Sequence, residues 1–289
     1  MVEPGLELVV RMLGHDTLLG EHRNHPLDHA LRVGFQGHLR PSQLCPVGLF
    51  PHRPRNPGVQ LSRLGDDIRL GAGATWSEIV RASLPKGFDA LKAAAREIGS
   101  IQIQNRGTIG GNLCNASPAA DSVPPLLTLE ARVEIASASR LRDMPLADFI
   151  QGNRRTALES GEILTAILVA RPEAARFTSH FVKLGARRYL VISIAMIAVA
   201  LERSADGAIS NARVAIGSCS AVAQRLPEVE AALLGVRSVT DIAGAVTPAR
   251  LVSLSPIDDV RATADYRRDA AATLIRRAVQ DCFVKSGEA

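Results

Sequence analysis

The stretch that decides the fold runs from Asn105 to Asp121 and reads Asn-Arg-Gly-Thr-Ile-Gly-Gly-Asn-Leu-Cys-Asn-Ala-Ser-Pro-Ala-Ala-Asp. Glycine allows positive φ angles and lets a ligand approach the main-chain N–H groups closely. We therefore predict a loop around Gly110-Gly111 whose successive N–H groups can cradle a phosphate. Thr108 and Asn112 can add side-chain hydrogen bonds. Asp121 can accept hydrogen bonds from ribose hydroxyls or from an amino group, as acidic residues do in dinucleotide sites.

The residues upstream predict a framework for this loop. Ile68–Ala74 alternates in polarity and ends in small residues, which is typical of a strand that runs into a turn. Thr75, followed by Glu78 at capping-box spacing, predicts the start of a short helix. Phe88–Ile98 carries apolar residues at helical spacing, and Gly99 is expected to end that helix. The glycine segment is thus expected to follow a packed helix directly.

The second half of the chain groups its strands apart from its helices. Strands are predicted at Phe181–Leu184, Val191–Leu201 and Ala208–Ile216, and helices at Glu228–Leu234, Asp241–Leu254 and Asp265–Phe283. Segregated elements of this kind indicate an α+β fold rather than a doubly wound sheet. A chain of 289 residues suits two domains. The pattern changes after Pro172, so we expect domains at residues 1–175 and 176–289.

The glycine segment and its flanks resemble the second flavin-binding segment of the medium subunit of the molybdenum hydroxylases. This family includes the flavoprotein subunit of aerobic carbon monoxide dehydrogenase and the central domain of xanthine dehydrogenase. The resemblance rests on Glu97-Ile98-Gly99, Gln104–Asn112 and Ala116–Asp121, and it extends from about Leu61 to the C-terminus. It implies a two-part FAD-binding domain of the vanillyl-alcohol-oxidase-like type, followed by a small domain of antiparallel strands and helices.

The resemblance also implies a set of FAD-binding residues. Thr108, Gly110, Gly111 and Asn112 lie where the family loop contacts the flavin pyrophosphate and ribityl chain. Asp121 matches an acidic residue that contacts the cofactor, and Leu164 matches an apolar flavin contact. Lys183 matches a lysine near the flavin, where a cation favours the anionic reduced form and raises its potential. The full set is Ile98, Thr108, Gly110, Gly111, Asn112, Asp121, Leu164 and Lys183.

Several of these residues have structural alternatives. Lys183 is equally consistent with a solvated surface lysine, and Ile98 with a core position of its helix. Cys114 is expected to pack as a small apolar residue. Three arginines can pair with phosphate or with partner subunits, although arginine is mostly a surface residue: Arg106, Arg187 and Arg188.

The family implies an electron-transfer function. Electrons from a molybdenum centre on a large molybdopterin subunit cross 2Fe-2S clusters on a small subunit, reach FAD on this chain and leave to an acceptor. No nucleophile–base constellation is visible, and His180 is the only histidine after residue 52. Two alternatives remain open: a flavin-free structural subunit of such a complex, and a different flavoenzyme such as a cell-wall sugar reductase.

The family pattern breaks near the N-terminus. A first flavin segment, Ala-Gly-Gly-Thr, is expected at about residues 20–30, but no glycine pair stands there. Glu21 would repel a pyrophosphate, and Pro26 lacks an N–H donor. Six of the seven histidines lie in residues 1–57, and no acidic residue occurs from His29 to Ser62. Our hypothesis is that residues 20–57 are read in a shifted frame or have diverged, which puts FAD binding in doubt.

Bulk composition excludes several other classes. The formal charge of +5 is spread along the chain, and only 3% of the residues are aromatic, so nucleic-acid binding is not indicated. The four cysteines form no Cys-x-x-Cys pair, which argues against zinc or an iron–sulfur cluster on this chain. The longest apolar run, Leu190–Leu201, is shorter than the roughly 20 residues that span a bilayer. No signal peptide is recognisable, so a cytoplasmic protein with free thiols is expected.

Overall fold

The protein is represented by a computed structural model that describes residues 63–64, 67–171 and 176–287. The expected position of the first flavin segment and the atypical residues 20–57 lie outside these ranges. Cys45 lies outside them as well.

The first part of the chain is built on a five-stranded antiparallel sheet in the order β1-β2-β7-β3-β4. Its strands are β1 (Arg63–Leu64), β2 (Asp67–Gly71), β3 (Arg132–Ala136), β4 (Leu141–Pro145) and β7 (Ile163–Ala170). A separate small hairpin pairs β5 (Ile150–Gly152) with β6 (Arg155–Thr156). The helices are α1 (Trp76–Arg81), α2 (Asp89–Glu97), α3 (Ile101–Gln104), α4 (Ile109–Asn115), α5 (Val123–Thr128) and α6 (Leu146–Phe149).

The second part is built on a four-stranded antiparallel sheet in the order β11-β10-β9-β8. Its strands are β8 (Thr178–Leu184), β9 (Ala195–Arg203), β10 (Ile209–Gly217) and β11 (Gln224–Arg225). Its helices are α7 (Pro227–Leu233), α8 (Ile242–Ala245) and the long α9 (Ala264–Gly287). Two short 3-10 helices, Lys86–Phe88 and Pro248–Leu251, complete the described elements. The two antiparallel sheets with segregated helices confirm the α+β class.

Several local predictions are confirmed. Thr75 is the N-cap of α1 and forms both hydrogen bonds of a capping box with Glu78. The helix predicted at Phe88–Ile98 is α2, and Gly99 follows it at a φ of +61°. A β-carbon at that angle is strained, so glycine suits this helix stop.

Three local predictions are wrong. The segment around Gly110-Gly111 is not a loop, because Thr108 caps a helix that begins at Ile109. The strand predicted at Val191–Leu201 begins only at Ala195. The helix predicted at Asp241–Leu254 is split into α8 and a 3-10 turn, because Pro248 supplies no N–H to continue a helix.

Helix α2 connects the two parts. Its Ala90 and Ala94 pack against Phe181 of β8 and against Met196 and Ala198 of β9. Ser179 of β8 reinforces this contact, since its hydroxyl accepts a hydrogen bond from the Ala90 N–H and donates to the chain just before α2. The N-terminal end of α2 is thereby held against β8.

Gly110 fixes the position of α4 on the first sheet. A β-carbon at this residue would lie 2.6 Å from the Ala72 β-carbon and 2.7 Å from the Ala72 carbonyl oxygen. The N–H of Gly110 also donates to that oxygen over 2.8 Å. The helix therefore approaches the end of β2 more closely than any residue with a side chain permits.

We predict that Gly110→Ala destabilises the protein by about 1–3 kcal/mol, because the added methyl group meets backbone that cannot yield. The matched control is Gly244→Ala on α8, where an added β-carbon meets nothing within 4 Å. That change should be stabilising by about 0.5–1 kcal/mol, because alanine is the better helix former. The free energy of unfolding in urea measures the effect of each substitution. Equal effects of the two substitutions would contradict the close approach at Ala72.

Candidate functional site

The first turn of α4 uses its main-chain donors within the protein. The Ile109 N–H donates to the Ala74 carbonyl over 2.9 Å, and the Gly110 N–H donates to Ala72. The Gly111 N–H donates to the Thr108 hydroxyl oxygen over 3.1 Å. Most of the N–H groups that were predicted to cradle a phosphate thus hold the helix onto its own strand and cap.

Two side-chain donors remain at this end of α4. The Ser122 hydroxyl donates to the Asn112 amide oxygen over 2.6 Å and so orients that amide. Within residues 67–171 and 176–287, neither the Asn112 amino group nor the Thr108 hydroxyl proton has a hydrogen-bond acceptor. Both residues are half-buried; Thr108 is the N-cap of α4, at the positive end of the helix dipole, and Asn112 lies one turn further along the helix. This set of neutral donors suits an anionic group such as a pyrophosphate.

A buried ion pair lies between the two parts of the fold. The Lys183 ammonium of β8 is 2.6 Å from the Asp121 carboxylate, and each side chain is only 8% exposed. The same ammonium donates to the Glu97 carbonyl at the end of α2 over 3.3 Å. The alternative of a solvated surface lysine is therefore wrong for Lys183. The other Asp121 oxygen accepts a hydrogen bond from the Ser193 hydroxyl.

Burial sets the ionisation of Asp121. Removal of its carboxylate from water raises the pKa above the usual aspartate value, although the charge of Lys183 and the hydrogen bonds from Lys183 and Ser193 lower it. The folded protein therefore binds a proton on Asp121 more readily than the unfolded chain does. The ionised carboxylate costs stability above that raised pKa, and this cost disappears as the pH falls through it.

The apolar candidates lie in or against the first core. Leu164 of β7 is 2% exposed within that core, and Ile98 is partly buried against it. Cys114 also packs against the core, as expected of a small apolar residue. The structure thus places Ile98 at the end of α2 with one side against the core, while Leu164 is enclosed. Their contact with a flavin stays a prediction.

A cleft of about 370 Å³ opens beside the ion pair. Its charged lining residues are Lys183, Arg187 and Arg188 together with Glu97, so cations outnumber anions among them. Arg187 donates to the carbonyls of Tyr189 and Leu190, and the Arg188 guanidinium stacks over the Tyr189 ring. Arg106 is exposed on the loop before Thr108.

His180 lies on the opposite face of β8 from Lys183, because side chains three apart in a strand point to opposite faces. Its Nδ1 lies 2.8 Å from the Lys285 ammonium, and its Nε2 lies 3.4 Å from the Asp281 carboxylate. Burial, followed by the charge of Lys285, lowers the pKa of this imidazole. His180 therefore anchors α9 to β8 and faces away from the ion pair.

The described residues show the state of three cysteines and of the groups that could bind a metal or span a membrane. Cys114, Cys219 and Cys282 are free thiols. No group of three or more histidine, cysteine, aspartate or glutamate side chains in the described ranges is arranged to hold a metal ion. Among those same residues, no helix combines the length and the apolar character needed to cross a membrane.

Comparison with known proteins decides the family. A model described as the FAD binding domain in molybdopterin dehydrogenase matches residues 59–172, and one described as the CO dehydrogenase flavoprotein C-terminal domain matches residues 180–282. The nicotine 6-hydroxylase medium subunit of Paenarthrobacter nicotinovorans is 33% identical over 249 residues, which cover 86% of this chain and 84% of that subunit. The chain belongs to the FAD-binding medium subunits of the molybdenum hydroxylases.

Other medium subunits are similar along most of the chain. The xanthine dehydrogenase FAD-binding subunit of Escherichia coli O157:H7 is 28% identical, over 80% of this chain and 78% of that subunit. A solved structure of carbon monoxide dehydrogenase from Hydrogenophaga pseudoflava superposes with a TM-score of 0.67 at 28% identity. That match covers 76% of each chain. The family assignment replaces the sugar reductase alternative.

The structure brings together residues that the sequence reasoning had treated separately. Asp121 and Lys183, two of the residues implied by the resemblance, contact each other, and Asn112 is tied to Ser122. Ser193 was missed, although it is the one polar residue in the apolar run from Val191 to Leu201. A polar residue in such a run signals a buried hydrogen bond.

We predict that Lys183→Met destabilises the protein by about 3–5 kcal/mol near pH 8, because it leaves the Asp121 carboxylate buried without a counter-charge. The loss should shrink as the pH falls, since Asp121 then takes up a proton. Chemical denaturation at pH 5.5 and pH 8 measures this. Lys92→Met on α2 is the control, and adding Asp121→Asn to Lys183→Met should recover much of the loss. A loss that does not depend on pH would contradict an ionised Asp121.

Proposed function

We propose that the chain is the FAD-binding electron-transfer subunit of a molybdenum hydroxylase complex. The observation that carries this proposal is the buried Lys183–Asp121 pair, which lies beside a basic cleft on the scaffold of an FAD-binding family. Relatives named as FAD-binding or medium subunits of xanthine, nicotine and carbon monoxide enzymes support it. The chain then passes electrons from iron–sulfur clusters to an acceptor.

The residues of α4 suit the phosphate end of the cofactor. The Thr108 hydroxyl is a neutral donor at the N-terminus of α4, where negative charge is favoured, and the Asn112 amino group is a second neutral donor one turn along the helix. Gly111 adds no side chain that would block them: a β-carbon there would meet only the Thr108 hydroxyl oxygen, at 3.0 Å. We assign Thr108, Gly111 and Asn112 to the pyrophosphate side. Gly110 supports them by its contact with Ala72.

Lys183 suits the redox end. FAD, when bound, supplies the chemistry of accepting and releasing electrons. The Lys183 ammonium is held by Asp121 and by the Glu97 carbonyl, so its charge stays in one place within a site of low dielectric constant. A fixed cation beside a redox group favours its reduced anionic form, and the ionised Asp121 offsets part of this effect. Ile98 and the buried Leu164 are assigned to the same end.

A flavin-free structural subunit is the second candidate. Two observations favour it: residues 20–30 contain no Ala-Gly-Gly-Thr-like segment, and the first N–H groups of α4 already donate within the chain. Such a subunit would keep the fold and the partners without the cofactor. The Lys183–Asp121 pair would then serve only to join the segment before α5 to β8.

The partners and the location belong to the same proposal. We infer that a large molybdopterin subunit and a small 2Fe-2S subunit bind this chain, and that its two domains are residues 1–175 and 176–289. We place the complex in the cytoplasm because free thiols such as those of Cys114, Cys219 and Cys282 are typical of a reducing compartment. Cell fractionation followed by detection of the chain tests the location.

The deciding experiment is an absorption spectrum of the chain purified with its partners. The paired near-ultraviolet and blue bands of oxidised flavin, in an amount equal to the chain, are the expected result. A colourless chain in an intact complex would exclude the FAD proposal and leave the structural subunit. A chain that captures neither partner would exclude both.

We predict that Thr108→Val weakens FAD binding about tenfold to a hundredfold, which corresponds to the loss of one hydrogen bond to a charged group. Thr108→Ser keeps the hydroxyl and should bind like the wild type. The control is Thr75→Val, which removes the cap of α1 at a buried position. It should cost about 1 kcal/mol of stability and leave FAD affinity unchanged. Titration of the apoprotein with FAD by fluorescence measures the affinities, and an unchanged Thr108→Val variant would contradict the assignment.

A further inference from the structure

Ser193 is a buried polar residue to which the proposed function assigns no role. It is 1% exposed and precedes β9, at the point where the chain returns from the loop that lines the cleft. Its hydroxyl donates to the Asp121 oxygen that Lys183 does not contact. The Asp121 carboxylate is therefore held from two sides, by a cation on one oxygen and by a neutral donor on the other.

The backbone of Ser193 is held by a second set of charges. The Arg261 guanidinium donates to the Ser193 carbonyl over 2.9 Å, and Arg267 of α9 donates to the next carbonyl, that of Ile194. Asp259 accepts hydrogen bonds from both arginines. These arginine hydrogen bonds keep the pKa of Asp259 well below its usual range, so it stays charged.

The Asp121–Lys183 pair and the group of Asp259, Arg261 and Arg267 are connected through Ser193. Asp259 orients Arg261, Arg261 fixes the carbonyl of Ser193, and the Ser193 hydroxyl then points at Asp121. The loop between Leu184 and Ser193 is closed at its ends by a hydrogen bond from the Ile194 N–H to the Leu184 carbonyl over 2.8 Å. These contacts restrain the backbone at Ser193 and so favour the position from which its hydroxyl reaches the carboxylate.

We propose that Ser193, held by Arg261, is a positioning residue for Asp121 and thereby controls the charge of the Asp121–Lys183 pair. This inference deepens the proposed function and rests on it for its consequence at the flavin. The pair is neutral while Asp121 is ionised and carries a net positive charge once Asp121 is protonated. Ser193 stabilises the ionised form, because a hydroxyl that donates to a carboxylate favours its charged state.

The other charged groups around Asp121 do not duplicate this contact. From β8 the carboxylate faces Lys183, and Arg187 and Arg188 on the following loop line the neighbouring cleft. From α2 the cleft is lined by Glu97. Of these groups, Lys183 alone makes a direct bond to Asp121 within the described residues, so removal of the Ser193 hydroxyl should change the titration of Asp121.

The test is a direct titration of Asp121 in the full-length chain. Aspartate labelled with carbon-13 at Cγ gives one carboxyl signal per aspartate by NMR, and Asp121→Asn assigns the signal of interest. We expect Ser193→Ala to raise the midpoint for Asp121 by about one to two pH units. Ser193→Thr keeps the hydroxyl and should restore the wild-type midpoint. Arg261→Gln should raise the midpoint by a smaller amount.

Two matched controls separate positioning from general damage. Ser179→Ala removes another buried serine hydroxyl, which bonds only to backbone near α2. Arg250→Gln removes another arginine that donates to backbone carbonyls, those of Gly244 and Ala245. Both should keep the wild-type midpoint even where they lower the stability. An unchanged midpoint in Ser193→Ala, or an equal shift in Ser179→Ala, would overturn the proposal.

Parallel FAD titrations from pH 5.5 to 9 distinguish this inference from the proposed function. If the wild-type chain binds FAD and the Ser193→Ala titration of Asp121 is unchanged, only the positioning role fails. If the midpoint shifts but the chain binds no FAD, the proposed function fails and Ser193 still sets the ionisation of Asp121. If Ser193→Ala does not fold, the shift in Arg261→Gln relative to Arg250→Gln decides.

Discussion

The buried ion pair between Lys183 and Asp121 joins the two halves of this protein. Asp121 ends the segment that follows α4, and Lys183 belongs to the edge strand β8 of the second sheet. A buried charge without its partner is strongly destabilising, so removal of one charge alone lowers the stability. The pair therefore ties the segment between α4 and α5 to β8 at the place where the cofactor is proposed to bind. The Glu97 carbonyl adds the end of α2 to the same point.

Close backbone packing sets the position of the other end of the site. The contact of Gly110 with Ala72 places the N-terminus of α4 against the end of β2, and the Thr108 hydroxyl completes the first turn. Most main-chain N–H groups of that turn form hydrogen bonds within the protein as part of this packing. The Thr108 hydroxyl and the Asn112 amino group remain as donors for a ligand. A rigid helix fixes their positions more exactly than a flexible glycine loop would.

Local sequence signals predicted the elements well where each depends on its own residues. The capping box of Thr75 and Glu78, the periodicity of α2 and the stop at Gly99 all follow from short-range physics. The predictions failed where distant contacts decide the local structure. The first turn of α4 needs hydrogen bonds to Ala72 and Ala74, and Ser193 lies outside β9 because Asp121 and Arg261 hold it.

In the candidate site, too, the sequence predicted single residues but not the contacts between distant ones. The family resemblance named Asp121 and Lys183 as separate cofactor contacts, but no pattern in the sequence shows that residues 62 positions apart form a salt bridge. Ser193 left only a weak signal, a single hydroxyl in an apolar run. Its partners Asp259 and Arg261 look like ordinary surface charges in the sequence. Only the folded chain brings Arg261 to the Ser193 carbonyl and the Ser193 hydroxyl to the Asp121 carboxylate.

The two ends of the proposed site differ in how they respond to pH. Thr108 and Asn112 do not titrate in the physiological pH range, so pH does not change the hydrogen bonds that they can donate to a phosphate. Asp121 and Lys183 form a pair whose net charge changes when Asp121 takes up a proton, and burial brings that event closer to neutral pH. A change of pH therefore acts on the redox end of the site and leaves the phosphate end alone. Ser193 counteracts this sensitivity, because it stabilises the ionised carboxylate and so extends the pH range over which the pair stays neutral.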